Sequence, residues 1–158
     1  MKIIGLTGSI ATGKSGVSEM FHRLKIPVHD SDKIVHSLMG PKGAAIQGII
    51  KLFGNVGDNE NGIDRRKLGE LVFSDPDAKT ALEALVHPLV HTDRNAFLNQ
   101  MNNQRKKMVV VDIPLLYETG CEYFCDRVIC VWAPDFLQKR RAMKRTGMSE
   151  KKLDAILN

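Results

Sequence analysis

Cysteine is scarce in this chain and poorly spaced for either of its structural uses. Cys121, Cys125 and Cys130 are the only three, an odd number without a Cys-x-x-Cys pair, which argues against a disulfide framework or a zinc site and fits reduced thiols. No apolar run approaches the roughly 20 residues of a membrane-spanning helix. The opening segment carries one lysine and passes straight into a glycine-bearing loop, unlike a secretory leader. The expected location is therefore the cytoplasm, with no membrane partner. Internal repeats and low-complexity tracts are also missing. What remains is 158 residues, 43% hydrophobic and 26% charged. That composition describes one modest globular domain, able to bury roughly two-thirds of its unfolded surface unaided.

What the chain does have begins at Gly8. Residues Gly8, Ser9, Ile10, Ala11, Thr12, Gly13, Lys14 and Ser15 read GSIATGKS, which fits G-x-x-x-x-G-K-[ST] at every fixed position. The apolar run Lys2 to Thr7 precedes it and an amphipathic stretch from Gly16 to Lys25 follows, the strand-loop-helix setting of a phosphate-binding loop. Glycines let successive backbone N–H groups turn inward around a polyphosphate, and the helix adds its positive end to the same anion. Lys14 is expected to reach the β and γ phosphates, and the Ser15 hydroxyl to ligate Mg2+.

Periodicity divides the rest. Short runs rich in β-branched residues predict strands at Lys2 to Thr7, Ile26 to His29, Met108 to Asp112 and Arg127 to Trp132. The first two flank a helix of about ten residues, a βαβ unit with a right-handed crossover. Between Ser31 and Gln104 the spacing turns helical, through Ile46, Ile49, Ile50 and Phe53, then Leu68, Leu71 and Val72, then Leu82, Leu85 and Val86, then Leu89, Asp93 and Phe97. Gly54 to Gly62 reads as an exposed polar loop. The expected fold is α/β: a parallel-sheet core over 1–32 and 105–135, a helical insertion over 33–104, and a basic lid over 136–158.

Ligands of open parallel sheets bind beyond the carboxyl ends of the strands, and three strands deliver chemistry there. The first gives the phosphate loop. The second ends in Asp30-Ser31-Asp32, and the third in Asp112, a carboxylate placed to order Mg2+ through water. Of Asp30 and Asp32, one is expected to cap the helix of Ile34, Val35 and Leu38, and the other to accept a proton from an attacking hydroxyl. A hydroxyl acceptor makes the protein a kinase. Water would make it an NTPase, but no glutamine-bearing switch segment is evident, and the helical insertion suits a second substrate.

The net charge of +5 lies wholly at one end. Residues 136–158 hold seven basic side chains against Glu150 and Asp154, leaving 16 of each sign in the first 135. A nucleic-acid patch, a solvated helix face and a phosphate-closing lid all accommodate such a cluster. Gln138, Arg141 and Arg145 fall on one face of a helix that Pro134 can start, and the phosphate loop favours the lid, with no nucleic-acid partner.

Taken in order, GLTGSIATGKS at Gly5 to Ser15, HDSD at His29 to Asp32 with His36 beyond, IDRRKLGELVF at Ile63 to Phe73, VHP at Val86 to Pro88, VVVDIPLLYETG at Val109 to Gly120 and QKRRAMKR at Gln138 to Arg145 resemble the dephospho-CoA kinase family. The resemblance spans nearly the whole chain. It implies phosphorylation of the ribose 3'-hydroxyl of dephospho-CoA by ATP with Mg2+, the last step of coenzyme A synthesis, on a nucleoside-kinase-like core with a helical CoA domain and a lid. By motif it implies Asp32 as base, Asp30 in substrate binding, Arg65, His87, Leu116 and Tyr117 in the substrate pocket, and Arg141 with Arg145 reaching ATP. Arg65 otherwise reads as a helix-surface arginine, and His87 as a histidine satisfied at a helix start. Ser9, Ala11 and Gly16 stand where the family commonly has Gly, Gly and Thr, and Ser31 where it has alanine. Gly8, Gly13, Lys14 and Ser15 keep the anion cradle intact. Family members run on past position 158 into a further lid segment, a last core strand and a closing helix.

Overall fold

The computed structural model describes residues 1–145 and 147–157. Thr146 and Asn158, both within the expected lid segment, lie outside them. The chain parts into two compact units, residues 1–30 with 101–158 and residues 31–100.

The first unit is built on a four-stranded parallel sheet. Strands β1 (Lys2–Thr7), β2 (Val28–Asp30), β5 (Met108–Asp112) and β6 (Arg127–Cys130) stand in the order β2-β5-β1-β6. A parallel sheet covered on both faces needs unbroken apolar strands rather than alternating ones. Val109, Val110 and Val111 are accordingly all 0% exposed. Helix α1 (Lys14–Arg23) lays Val17 and Phe21 on Ile4, Leu6 and Val110, with Ile26, Val28 and Val131 completing the cluster. The second strand lies nearer its Asp30 end than the run Ile26 to His29 suggests. Even so, Pro27 already contributes its carbonyl, accepting from Val110 N–H at 2.9 Å.

Two further helices belong to this unit. Helix α6 (Asp135–Ala142) starts behind Pro134, whose carbonyl accepts from the N–H groups of Leu137 and Gln138, both at 2.9 Å. Helix α7 (Glu150–Leu157) follows, and its Leu153 packs with Ala142 of α6 and Ala11 of the phosphate loop.

The second unit is helical: α2 (Ser31–Met39), α3 (Ile46–Phe53), α4 (Arg65–Ser74) and most of α5 (Pro76–Asn103). Met39, Ile46, Ile49, Leu68 and Val86 form its core. Two departures from the sequence reading appear here. The polar stretch Gly54 to Gly62 contains a small antiparallel pair, β3 (Gly57–Asp58) with β4 (Gly62–Ile63). The Asp58 carboxylate makes the turn, accepting from the N–H groups of Glu60 and Asn61. Helix α5 runs through Pro88 without a break, so His87 does not start a helix. The proline removes one helical hydrogen bond, yet Leu82, Leu85, Leu89 and Val90 keep the same face against the core across it.

Candidate active site

The phosphate loop leaves β1 at Thr7, whose hydroxyl donates to Pro114 O at 2.8 Å. Its two fixed glycines are required for different reasons. A Cβ at Gly8 would lie 2.6 Å from Val131 O, just past the end of β6. Gly13 sits in left-handed backbone at φ 110°, immediately before the first residue of α1, where side chains are strained. Between them Ala11 also adopts left-handed backbone, φ 59°, a conformation disfavoured for alanine. Thr12, 5% exposed, donates its hydroxyl to Ser9 O at 2.9 Å and closes the loop upon itself.

Lys14 Nζ meets Asp112 Oδ1 at 2.5 Å, with side chains 16% and 3% exposed. A carboxylate so deeply buried needs a compensating charge, and the loop lysine supplies it. Strand register explains the meeting of residues so far apart in sequence. Asp112 aligns with Leu6 on one side and with Asp30 on the other, so the acidic ends of β2 and β5 stand side by side just past the origin of the loop. Ser15, exposed, is the next residue of α1 after Lys14.

The two acids of Asp30-Ser31-Asp32 separate in character. Asp30 ends β2 and is half-buried, whereas Asp32 is exposed in the first turn of α2. A carboxylate there is favoured by the helix's positive end.

Arg65 is the first residue of α4 and is exposed, its Nη1 3.3 Å from His36 Nδ1. Asp64 caps that helix by accepting from the N–H groups of Arg66 and Lys67. His87 is exposed on α5 and stacks on His91 one turn on, rings 6.5 Å apart and 9° from parallel. Burial, with the charges of Arg94 and His87, holds the His91 imidazole below its ordinary pKa. Leu116, expected to face the substrate, is instead 0% exposed, and its Cδ atoms fill the space over Gly5. It is a core residue because β1 has no side chain at Gly5 to occupy that volume. Tyr117 beside it is 56% exposed.

The basic segment meets the loop directly. Arg141 Nη1 donates to Thr12 O at 3.0 Å. One turn earlier Gln138, 7% exposed, donates to Ile10 O at 2.8 Å and to Ser9 Oγ at 3.2 Å. Spacing put Gln138 on the face of Arg141, but nothing in the sequence tells what that face would touch. Arg145 is exposed just beyond α6.

Comparison with known proteins fits this geometry. The family model described as dephospho-CoA kinase matches residues 2–158. A dephospho-CoA kinase of Rhodospirillum rubrum is 50% identical over 147 residues, covering 93% of this chain and 70% of the relative. One of Paramagnetospirillum magneticum is 46% identical over 157 residues, covering 99% and 74%. Among solved structures, TT1252 from Thermus thermophilus superposes with a TM-score of 0.82 at 34% identity, covering 99% of this chain and 78% of that one. Dephospho-CoA kinase from Campylobacter jejuni gives 0.69 at 30% identity, covering 98% and 78%. The chain belongs to the dephospho-CoA kinase family.

Proposed function

We propose that this chain transfers the γ-phosphoryl group of ATP to the ribose 3'-hydroxyl of dephospho-CoA, giving coenzyme A, and that it does so in the cytoplasm. The observation that carries this reading beyond family membership is the Lys14–Asp112 pair at the mouth of the loop. It is a cation and an anion stored against each other, each with a separate task once nucleotide arrives. The triphosphate offers Lys14 a stronger anion, and Asp112 then faces the metal side of the site. Ser15 and Asp112 are hard oxygen donors of the kind Mg2+ prefers, and Mg2+ bound with ATP would neutralise charge on the β and γ phosphates.

The protein's own part is alignment, charge compensation and one proton acceptor. Asp32 is assigned as the acceptor: it is exposed in the first turn of α2, where its carboxylate is open to a sugar hydroxyl. Asp30, at the end of β2, is assigned to the substrate. Arg65 has donors beyond the one facing His36, and a planar guanidinium suits the pyrophosphate of dephospho-CoA. His87 and Tyr117, both exposed, complete the proposed substrate side, without Leu116. Arg141 uses one nitrogen on Thr12 O and keeps others for phosphate, with Arg145 beyond it.

The test is a coupled assay of coenzyme A formation from ATP and dephospho-CoA, run beside nucleoside monophosphates as acceptors. Phosphorylation of dephospho-CoA at least a hundredfold faster than of any monophosphate is the expected result. Equal or better use of a monophosphate overturns the assignment.

A further inference from the structure

The contact between α6 and the phosphate loop involves a particular side of the loop. A loop that wraps an anion points N–H groups toward it, so its carbonyls face outward. Two of those carbonyls, Ile10 O and Thr12 O, accept from side chains one turn apart on α6, Gln138 at 2.8 Å and Arg141 at 3.0 Å. They bracket Ala11, whose left-handed backbone needs outside support. Its methyl group packs with Ala142, 0% exposed, and Leu153, 1% exposed. A third carbonyl, Ser9 O, accepts from the Thr12 hydroxyl, and the Ser9 hydroxyl accepts the second donor of Gln138.

Resting on the reading of this loop as the ATP site, we infer that Gln138 is a positioning residue for the phosphate cradle. Its buried amide holds Ser9 and Ile10 from the carbonyl side, so that the amide side stays turned toward the triphosphate. Arg141 has a charge with which to meet phosphate; Gln138 has none, and at 7% exposure it acts through the loop. The basic segment thereby has two separable roles on one helix face: Arg141 reaches nucleotide, and Gln138 shapes what the nucleotide binds. A glutamine suits this role better than a charged donor. It supplies two N–H groups to two acceptors from a buried place without a second buried charge to compensate.

Gln138→Met keeps the length of the side chain and removes both donors. The dissociation constant for MgATP, measured by calorimetry without acceptor, is expected to rise about tenfold, the value of one or two hydrogen bonds to a preformed site. The KM for dephospho-CoA stays within about twofold, and amide hydrogen exchange at Ile10 to Gly13 quickens selectively. Ser9→Ala removes only the weaker contact and is expected to cost about twofold in ATP binding. Its effect disappears when added to Gln138→Met, because the two act through one contact. Unchanged ATP binding, a parallel rise in both substrate constants, or additive effects of the two substitutions would overturn the inference. Should Gln138→Met not fold, Gln138→Asn, one methylene short of Ile10 O, is read by the same measurements with the same outcomes. Because ATP binding is read without acceptor, failure to make coenzyme A sinks the proposed reaction and leaves this test standing.

Discussion

The sheet-bearing unit and the helical unit hold several of the side chains assigned to their ligands in opposite ways. In the first, three side chains at the phosphate loop already have partners: Lys14 has Asp112, Arg141 has Thr12 O, and Gln138 has Ile10 O. Asp112 and Gln138 are almost out of water. In the second, Asp32, His36, Arg65 and His87 all stand exposed, and the Arg65–His36 approach is long at 3.3 Å. The difference matches the ligands. A triphosphate is small, highly charged and best met by rigid, preorganised donors. A long cofactor precursor, spread over a larger surface, tolerates side chains that settle only when it arrives. Substitutions should therefore unsettle the fold on the ATP side and spare it on the acceptor side.

The largest effect is expected at Lys14. Lys14→Ala should lower turnover by about a thousandfold or more, since the charge proposed to face the transferring phosphoryl group is lost. It also leaves Asp112 buried without its cation, at a cost of about 1–3 kcal/mol, or several degrees in Tm for a chain of this size. Adding Asp112→Asn should restore most of the Tm and none of the turnover. Kinetics and thermal unfolding of the single and double variants check this. An unchanged Tm in Lys14→Ala would mean that the buried pair contributes nothing to the fold, and the contrast between the units would fail.

Asp32→Asn is the matching experiment on the other side. Turnover should fall by about two to four powers of ten, because the amide cannot take the proton. Tm should move by no more than a degree or two, because the residue is exposed. Dephospho-CoA binding, followed by calorimetry, should persist. If the loss appears in Asp30→Asn instead, the base is the half-buried acid of β2 and the two assignments exchange.

Arg141 lies between these extremes. Arg141→Ala should weaken ATP use and lower kcat together, by about 10- to 100-fold, and Arg141→Lys should recover only part, since a point charge cannot serve a carbonyl and a phosphate at once. A basic surface for nucleic acid predicts something else: mixed-sequence DNA binding that weakens steeply with salt while ATP affinity ignores Arg141. Titrations with ATP and with DNA at two salt concentrations decide between them.

Strands were the easiest elements to read from sequence, because a parallel strand buried on both faces is written in β-branched residues, as at Val109 to Val111. The phosphate loop was equally plain, since only glycine meets the steric demand at Gly8 and Gly13. Long-range pairing was not. Lys14 and Asp112 each carried a recognisable role, but their meeting depends on register between β1 and β5, which no local pattern encodes. The hairpin around Asp58 was hidden because a side-chain carboxylate, rather than an apolar alternation, holds its turn. Helix α5 was obscured by Pro88, a local breaker outweighed by packing on both sides of it. Leu116 was misplaced because its neighbour in space is Gly5, more than a hundred residues away, and an absent side chain leaves no signal.

Asp126 tests the sheet unit at its opposite, amino-terminal edge, with the smallest expected effect. Its carboxylate accepts from Ile3 N–H at 2.8 Å and from Lys2 Nζ at 3.0 Å, joining the starts of β1 and β6. The backbone N–H of Ile3, followed by the bond to Lys2, holds the Asp126 pKa below its ordinary 3.8. A carboxyl that is more acidic folded than unfolded adds stability above the unfolded value and loses it as pH falls through the folded one. Asp126→Asn should therefore lower Tm by a small, constant amount from neutrality down to about pH 4–5, and the gap to the parent should close below 3.8. Salt should narrow that gap only slightly, since the larger cause is a backbone hydrogen bond rather than the exposed lysine. Melting curves of both proteins across pH at low and high salt measure it. A gap that widens on acidification would reverse the sign and assign the sheet's acid sensitivity to other groups. A gap abolished by salt at neutral pH would make Lys2, rather than Ile3 N–H, the partner that matters.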